Sequence, residues 1–340
     1  MSIMKFELRR SEPLSQYTTL HIGGVADYVA IVNSLTELKA ALAFAREHTE
    51  LPPLLLGGGS NVLCNDAGYR GVVIINRLAG YEVVLGEGEG VRVRAGAGEV
   101  FDAVIARTVR EGYWGLENLS AIPGSIGATP IQNVGAYGVE ISEFVVSVET
   151  INIHTSELKN FTPTECQFGY RDSFFKTPAG KAWCVTAVTY MLSATPKPRL
   201  DYKDLQPLKA VSDLTQDRIR DQVLAVRSLK FPDWRTVGTA GSFFKNPVIS
   251  TKTFTNLKRR FPELPGFPVD QDQVKVPLGW ILDKLCQLRG FQKGNVRLFE
   301  NQALVLVAEA GATATEIETF VTEIAKRVAE TTGITIEREV

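Results

Sequence analysis

This sequence predicts an α+β fold in more than one domain, on three observations. At 340 residues the chain is too long for one simple core, so two or three domains are expected. Strand-like and helix-like stretches alternate irregularly along it, the pattern of α+β packing. A Pro-rich break, Ala194-Thr195-Pro196-Lys197-Pro198, is the best linker candidate and divides the chain into 1–196 and 197–340.

The elements follow in order. In Tyr17–Asp27, Gly23-Gly24 marks a turn between short extended pieces. Ser34 to His48 reads as a helix, with Ser34 and Glu37 in capping-box spacing and Leu35, Leu38, Leu42 and Ala45 on one face. Leu54–Leu56 is a short buried strand that runs straight into Gly57-Gly58-Gly59-Ser60-Asn61. Val72–Ile75 and Val91–Ala95 are strands, the second alternating cleanly. Phe101–Arg110 is helical, with Val104 and Ile105 inward and Gly112 as its stop. Phe144–Ile153 and Cys184–Tyr190 are β-rich. Thr215–Leu229 is a helix, GWILDKL within Val276–Gly290 is helical, and Ala303–Ala308 is a strand. Thr313–Glu330 is an amphipathic helix with a second capping box, Thr313 and Glu316, ended by Gly333.

Bulk properties exclude several functions. With 37 basic and 38 acidic side chains, no bulk positive field is present to bind nucleic acid. The four cysteines, Cys64, Cys166, Cys184 and Cys286, lie far apart with no CxxC or Cys/His cluster, so no zinc site or disulfide framework is indicated and reduced thiols are expected. No metal site is expected. The N-terminus lacks an apolar signal region and no apolar run reaches membrane-span length, so a cytoplasmic protein is expected. Around Ser242 the positions that a GxSxG elbow requires as glycine hold Ala240 and Phe244, which argues against a serine hydrolase.

The stretch from Gly115 to Gly138, GLENLSAIPGSIGATPIQNVGAYG, stands apart. It holds five glycines and a single charged residue, Glu117. An ordinary surface loop would be more polar and a core helix would not tolerate so much glycine. Small residues and prolines fix a backbone that a ligand can approach closely. Asn118, Ser120, Ser125, Gln132 and Asn133 add polar groups that need partners once buried. GGGSN alone fits either a tight turn or an anion cradle; it lacks both the Walker signature and GxGxxG.

These motifs carry a resemblance. GLENLSAIPGSIGATPIQNVGAYG resembles the flavin-cradling segment of the UDP-N-acetylenolpyruvoylglucosamine reductase (MurB) family, and further motifs extend the match over nearly the whole chain. The resemblance implies a two-subdomain FAD-binding fold of the vanillyl-alcohol-oxidase class over 1–196, the subdomains being approximately 1–76 and 77–196, and a C-terminal α+β substrate domain over 197–340. It assigns flavin contacts to Gly57, Gly58, Gly59, Ser60 and Asn61. In the longer segment it assigns them to Asn118, Ser120, Pro123, Gly124, Ser125 and Gly127, then to Gln132, Asn133, Gly135, Ala136, Tyr137 and Gly138. FAD is expected to be noncovalent, His21 being an unpromising attachment point. FGYRDS matches the motif whose arginine sits beside the flavin, which gives Arg171, flanked by Tyr170 as a substrate contact. LDYKDL resembles the loop of the tyrosine-loop branch and assigns Tyr202 to the substrate. KFPD assigns Lys230 to its diphosphate.

GTAGSFFKNP supplies Ser242 and Asn246, Asn301-Gln302 supplies Gln302, and the terminal ITIEREV supplies Glu339. The implied reaction is NADPH-dependent reduction of UDP-N-acetylglucosamine enolpyruvate to UDP-N-acetylmuramate in peptidoglycan precursor synthesis, by a monomer. Hydride addition at C3 builds enolate charge at C2. Arg171 and a protonated Glu339 would stabilise that charge, and Ser242 would protonate C2. The alternatives are a flavin-dependent alcohol oxidase or dehydrogenase of the same fold class, and a non-catalytic nucleotide-binding module.

Overall fold

A computed structural model describes residues 6–85 and 90–340. They form two compact units. The first takes the chain up to Glu12, Val25–Gly59 and Tyr69–Arg227; the second takes Pro13–Gly24, Ser60–Gly68 and Ser228–Val340.

In the first unit, a four-stranded sheet runs in the order Glu7–Pro13, Val25–Val32, Tyr69–Asn76, Leu54–Leu56. Val25–Val32 and Leu54–Leu56 both lie parallel to Tyr69–Asn76, with Val29 opposite Val73 and Leu55 opposite Ile74. Buried parallel strands need apolar side chains on both faces, as VVII at Val72–Ile75 supplies. Helix Leu35–His48 buries Leu38, Leu42 and Ala45 against this sheet. Its expected capping box forms only by half: Ser34 accepts from Glu37 N–H, but Glu37 reaches back to Asn33 N–H instead of Ser34 N–H.

An antiparallel sheet follows, in the order Leu158–Phe161, Val145–Asn152, Trp183–Ser193, Gly90–Gly96, Tyr81–Leu85. Helix Phe101–Arg110 packs Phe101, Val104 and Ile105 into its core, and Gly112 ends it at φ +79°. The division between units does not fall at the expected 196/197. Residues beyond the ATPKP break still pack with the first unit, because Leu200, Leu205, Ile219 and Val223 bury themselves against Trp114 and Tyr137. A proline-rich stretch breaks regular structure without stopping packing.

The second unit holds a sheet ordered Gly238–Ser242, Val305–Ala308, Val296–Leu298, Gln292–Lys293, with helix Ala314–Thr332 in its core. Both halves of the Thr313/Glu316 capping box are made, and Gly333 closes the helix at φ +75°. A three-stranded sheet of Val248–Ser250, Gln273–Lys275 and Phe267–Pro268 carries helix Thr251–Arg260. GWILDKL is helical but not uniformly α: Leu278–Trp280 passes into a π turn, Ile281–Leu285, in which Cys286 N–H bonds to Ile281 O at 2.9 Å.

The two excursions from the N-terminal half are built into this unit. Thr19 and Thr239 exchange bonds: Thr239 N–H donates to Thr19 O at 2.9 Å and Thr19 Oγ1 donates to Thr239 O at 2.7 Å. Asp66 receives Ala314 N–H and Thr315 N–H at 2.7 and 2.9 Å, at the start of the long helix.

Candidate functional site

The cradle in the first unit is made by close backbone approach. A Cβ on Gly57 would lie 2.1 Å from Ser125 Oγ, and one on Gly58 would lie 2.8 Å from Gly124 Cα. The three-glycine run therefore seats directly on Pro123-Gly124-Ser125, two stretches that sequence separates by more than sixty residues. The second stretch is pinned in turn: Phe101 N–H donates to Gly124 O, Ile126 N–H to Glu99 O and Gly127 N–H to Ala97 O. Gly127 also has no room for a side chain, Ala97 Cβ lying 2.8 Å from its Cβ position.

The later part of the segment is a tight ribbon, Gly135–Ala136 paired with Val139–Glu140. Its two turn residues, Tyr137 and Gly138, have φ of +50° and +82°, as a two-residue hairpin turn demands. A buried tyrosine at positive φ is strained, and the surroundings hold it there. Asn118 Nδ2 donates to Tyr137 O at 3.0 Å and to Arg199 O at 2.9 Å. Burial pushes the Tyr137 phenol up to about 12, with Arg227 pulling the other way. Tyr202 meets Tyr137 edge-on at 5.2 Å and is partly exposed.

Asn133 is spent on structure: Nδ2 donates to Glu140 Oε2 and Gly169 O, and Oδ1 accepts from Ser142 N–H. Ser120 Oγ likewise donates to Glu117 O at 2.6 Å. Gln132, Ala136 and Pro123 are half-buried. Arg171 stands at the tip of a hairpin closed by Gly169 and Asp172, with φ +53°. Its Nη2 donates to Gly135 O at 2.6 Å and its guanidinium lies 5.4 Å from the Tyr170 ring. Gly135 must be glycine for this, since its Cβ position is 3.1 Å from Arg171 Nη1.

Three buried side-chain atoms of the segment lack a hydrogen-bond partner among the described residues: Glu117 Oε1, Asn118 Oδ1 and Ser125 Oγ. Natural interiors rarely leave such atoms unmet. Orphaned polar atoms beside a backbone that admits no side chain fit a bound polar, flat group such as FAD.

In the second unit, Ser242 ends the strand Gly238–Ser242 next to a bulge at Ala240-Gly241, where Gly241 has φ +74°. Thr239 Oγ1 fixes the bulge, donating to Leu306 O and accepting from Gly241 N–H. Phe243 and Phe244 anchor the next positions in the core. The Ser242 hydroxyl is half-exposed and makes no hydrogen bond among the described residues. The C-terminus pairs alongside: Glu339 N–H donates to Phe243 O at 2.9 Å and Lys245 N–H to Glu337 O at 2.9 Å. Asn61 Nδ2 holds Glu339 O at 3.3 Å. Glu339 therefore lies one residue from Ser242 across the pairing.

Asn246 Oδ1 accepts from Leu278 N–H at 2.9 Å, and Gln302 Oε1 sits 2.8 Å from the Cβ position of Gly279. Ser242, Asn246, Gln302 and Glu339 thus converge on one unit with Asn61, as do Ser60 and Lys230. Tyr170, Arg171 and Tyr202 belong to the first unit. His21 is exposed at the turn before Ile22.

Residues that the sequence did not single out complete the cradle's support. Asp102 takes two hydrogen bonds from Arg220, at 2.6 and 2.9 Å, and Ala121 N–H at 2.6 Å. Burial pushes the Asp102 carboxyl up, but Arg220, Ala121 N–H and Arg227 outweigh it and hold the group below its usual range. No spacing rule could have paired residues 102 and 220.

Residues 26–161 match the FAD binding domain family, and residues 233–340 match the family described as UDP-N-acetylenolpyruvoylglucosamine reductase, C-terminal domain. A UDP-N-acetylenolpyruvoylglucosamine reductase of Flavobacterium johnsoniae is 38% identical over 338 residues, covering 98% of this chain and 99% of the relative. The chain belongs to the UDP-N-acetylenolpyruvoylglucosamine reductase family. The reductase of Ralstonia nicotianae is 39% identical, with 96% of each chain covered. The crystal structure of the reductase (MurB) from Thermus caldophilus matches with a TM-score of 0.66 and 27% identity, over 99% of this chain and 98% of that one. The expected family and the α+β fold with a flavin-binding region and a C-terminal reductase domain are borne out. As a member of the reductase family the protein is an FAD-containing oxidoreductase. Among the described residues no helix is long and apolar enough to cross a membrane, and no His, Cys, Asp or Glu cluster could hold a metal.

Proposed function

We propose that the protein reduces UDP-N-acetylglucosamine enolpyruvate to UDP-N-acetylmuramate, with NADPH as reductant and FAD as intermediary, in peptidoglycan precursor synthesis. The single observation that supports this most is the Ser242 hydroxyl, unbonded among the described residues and one residue across a strand pairing from Glu339, in a chain of the reductase family.

Bound FAD would supply the redox chemistry, relaying hydride from NADPH to C3 of the enolpyruvyl group. Gly57–Gly59 and Gly124–Ser125 would hold it by backbone approach, with Asn118 and Ser125 offering polar contacts. Hydride arrival leaves negative charge on C2 and the carboxylate. Arg171, its guanidinium tethered to Gly135 O, meets that charge. Glu339 assists as a neutral acid, donating a hydrogen bond. Ser242 delivers the proton to C2. Lys230 and Tyr202 hold the diphosphate, and Asn246, Gln302 and Tyr170 contact the substrate. Ser60 and Asn61 remain flavin contacts in this reading. The protein works as a cytoplasmic monomer.

The test is anaerobic mixing of the purified yellow protein. NADPH should bleach the flavin and the enolpyruvyl substrate should restore it, while simple alcohols should do nothing. Bleaching by alcohols would favour an oxidase. A colourless protein that takes up no FAD would favour a binding module. Acid precipitation should leave the yellow colour in the supernatant if FAD is noncovalent.

A further inference from the structure

We infer that Glu117 is a positioning residue for the flavin: Oε2 holds Gly115 N–H, while Oε1, carrying the proton, donates a hydrogen bond to an acceptor atom of FAD. The inference rests on the reading that FAD fills the cradle.

Glu117 is 1% exposed, and its neighbours in the same segment, Asn118 and Ser125, are 0% and 5% exposed. Oε2 accepts from Gly115 N–H at 2.7 Å, and Gly115 sits at φ +144° with the Phe144 ring where a side chain would be. Oε1 is buried and has no partner among the described residues. An ionised carboxylate is acceptor-only and is costly to bury without a cation. The cation that acts on Glu117, Arg199, pairs its guanidinium with Glu143 at 3.5 Å and is largely exposed. Burial pushes the Glu117 carboxyl up, and the N–H groups of Gly115 and Glu117 together with Arg199 do not reverse it. A neutral carboxyl has one O–H to donate, and that O–H needs an acceptor.

The other orphans narrow the ligand. Asn118 Oδ1 can only accept, whereas Ser125 Oγ can do either. Along its length the segment thus offers a donor, an acceptor and a hydroxyl. A phosphodiester or diphosphate bridge supplies acceptors alone and leaves Asn118 Oδ1 unmet. An isoalloxazine edge and a ribityl chain supply both kinds.

Glu117→Gln keeps the size, the acceptor toward Gly115 and a donor at the Oε1 position. It should hold FAD with a dissociation constant close to that of the parent. Glu117→Ala should weaken FAD binding about tenfold to a hundredfold, the cost of leaving a buried acceptor unmet. The decisive readout is infrared difference spectroscopy of FAD-loaded against FAD-stripped protein. A protonated carboxyl band, sensitive to deuterium, should shift when FAD binds and be missing in Glu117→Gln. FAD-loaded protein without such a band overturns the inference, as does a folded Glu117→Ala protein with parental affinity. Should Glu117→Ala fail to fold, the infrared comparison of wild type with Glu117→Gln decides alone. A wild-type protein that takes up no FAD overturns the FAD reading itself, a different failure from a loaded protein that lacks the band.

Discussion

Around Gly57–Gly59 and Gly124–Ser125, in the first unit, close backbone approach excludes side chains, and the buried Ser125 Oγ has no hydrogen-bond partner among the described residues. Around Ser242, in the second unit, Thr239 fixes a bulge, Asn246 caps a turn at Leu278 and Asn61 ties down the carbonyl of Glu339, and the Ser242 hydroxyl makes no hydrogen bond among the described residues. The first region is shaped by what is missing from its backbone and the second by what its neighbours use up. The difference teaches where each is vulnerable. A cradle formed by close approach fails when an atom is added; a site formed by consumed neighbours fails when one atom is taken away.

The sharpest test of that contrast removes the one oxygen. Ser242→Ala should slow reoxidation of the reduced flavin by the enolpyruvyl substrate about a hundred- to ten-thousandfold. Flavin reduction by NADPH, which needs no proton at C2, should stay near the parental rate. Stopped-flow absorbance of the two half-reactions at equal flavin content reads both. Equal slowing of both halves would make Ser242 a structural residue.

The next adds one carbon. Gly58→Ala puts a methyl against Gly124 backbone, which cannot turn aside, and should cost about 1–3 kcal/mol and most of the bound FAD. At Gly57 the obstacle is the end of the Ser125 side chain, so Gly57→Ala should cost less, and Gly57→Ala with Ser125→Ala should recover stability. Thermal melts and the ratio of flavin to protein absorbance measure this. If Gly58→Ala is fully loaded, close approach does not shape the cradle.

A smaller effect concerns the support behind the cradle. Arg220→Ala strips Asp102 of its paired partner; because Asp102 is about a third exposed, the cost should be about 1–3 kcal/mol, below that of a fully buried pair. The Asp102 carboxyl is held below its unfolded value of about 3.9, so its stabilisation is present above that pH and is lost as pH falls through the lower folded value. The gap between wild type and Arg220→Ala in urea melts should therefore be widest near neutrality and close in acid. A gap that is constant with pH would assign the effect to packing alone.

The smallest is a control in the second unit. Thr313→Ala removes the oxygen that receives Glu316 N–H and should cost about 1 kcal/mol of stability. Turnover per flavin should be unchanged; a fall in turnover would tie the helix start to the catalytic strand.

The local chemistry of the chain was legible early. Capping at Thr313, the stop at Gly333 and the helix Phe101–Arg110 follow from nearest-neighbour rules, and the structure repeats them. The glycine-rich segment also announced itself, because a run of small residues is contiguous in sequence. Less legible were the strands Glu7–Pro13, which buries none of its residues, and Val25–Val32, whose burial depends on pairing with Tyr69–Asn76. The ATPKP break was read as a boundary, yet Leu200, Leu205, Ile219 and Val223 continue into the core of the first unit.

By itself the sequence determined the period of its helices, the absence of side chains along Gly57–Gly59, the five glycines spread through Gly115–Gly138, and the motifs that mark the reductase family. These are properties of adjacent residues, set by covalent geometry and local propensity. Only the tertiary structure decided that Gly58 rests on Gly124, that Glu339 lies across from Phe243, that Arg220 answers Asp102, and that Glu117 Oε1 is buried with no partner among the described residues. Those facts depend on which distant surfaces exclude water together, and burial is a property of the packed chain that no residue carries alone.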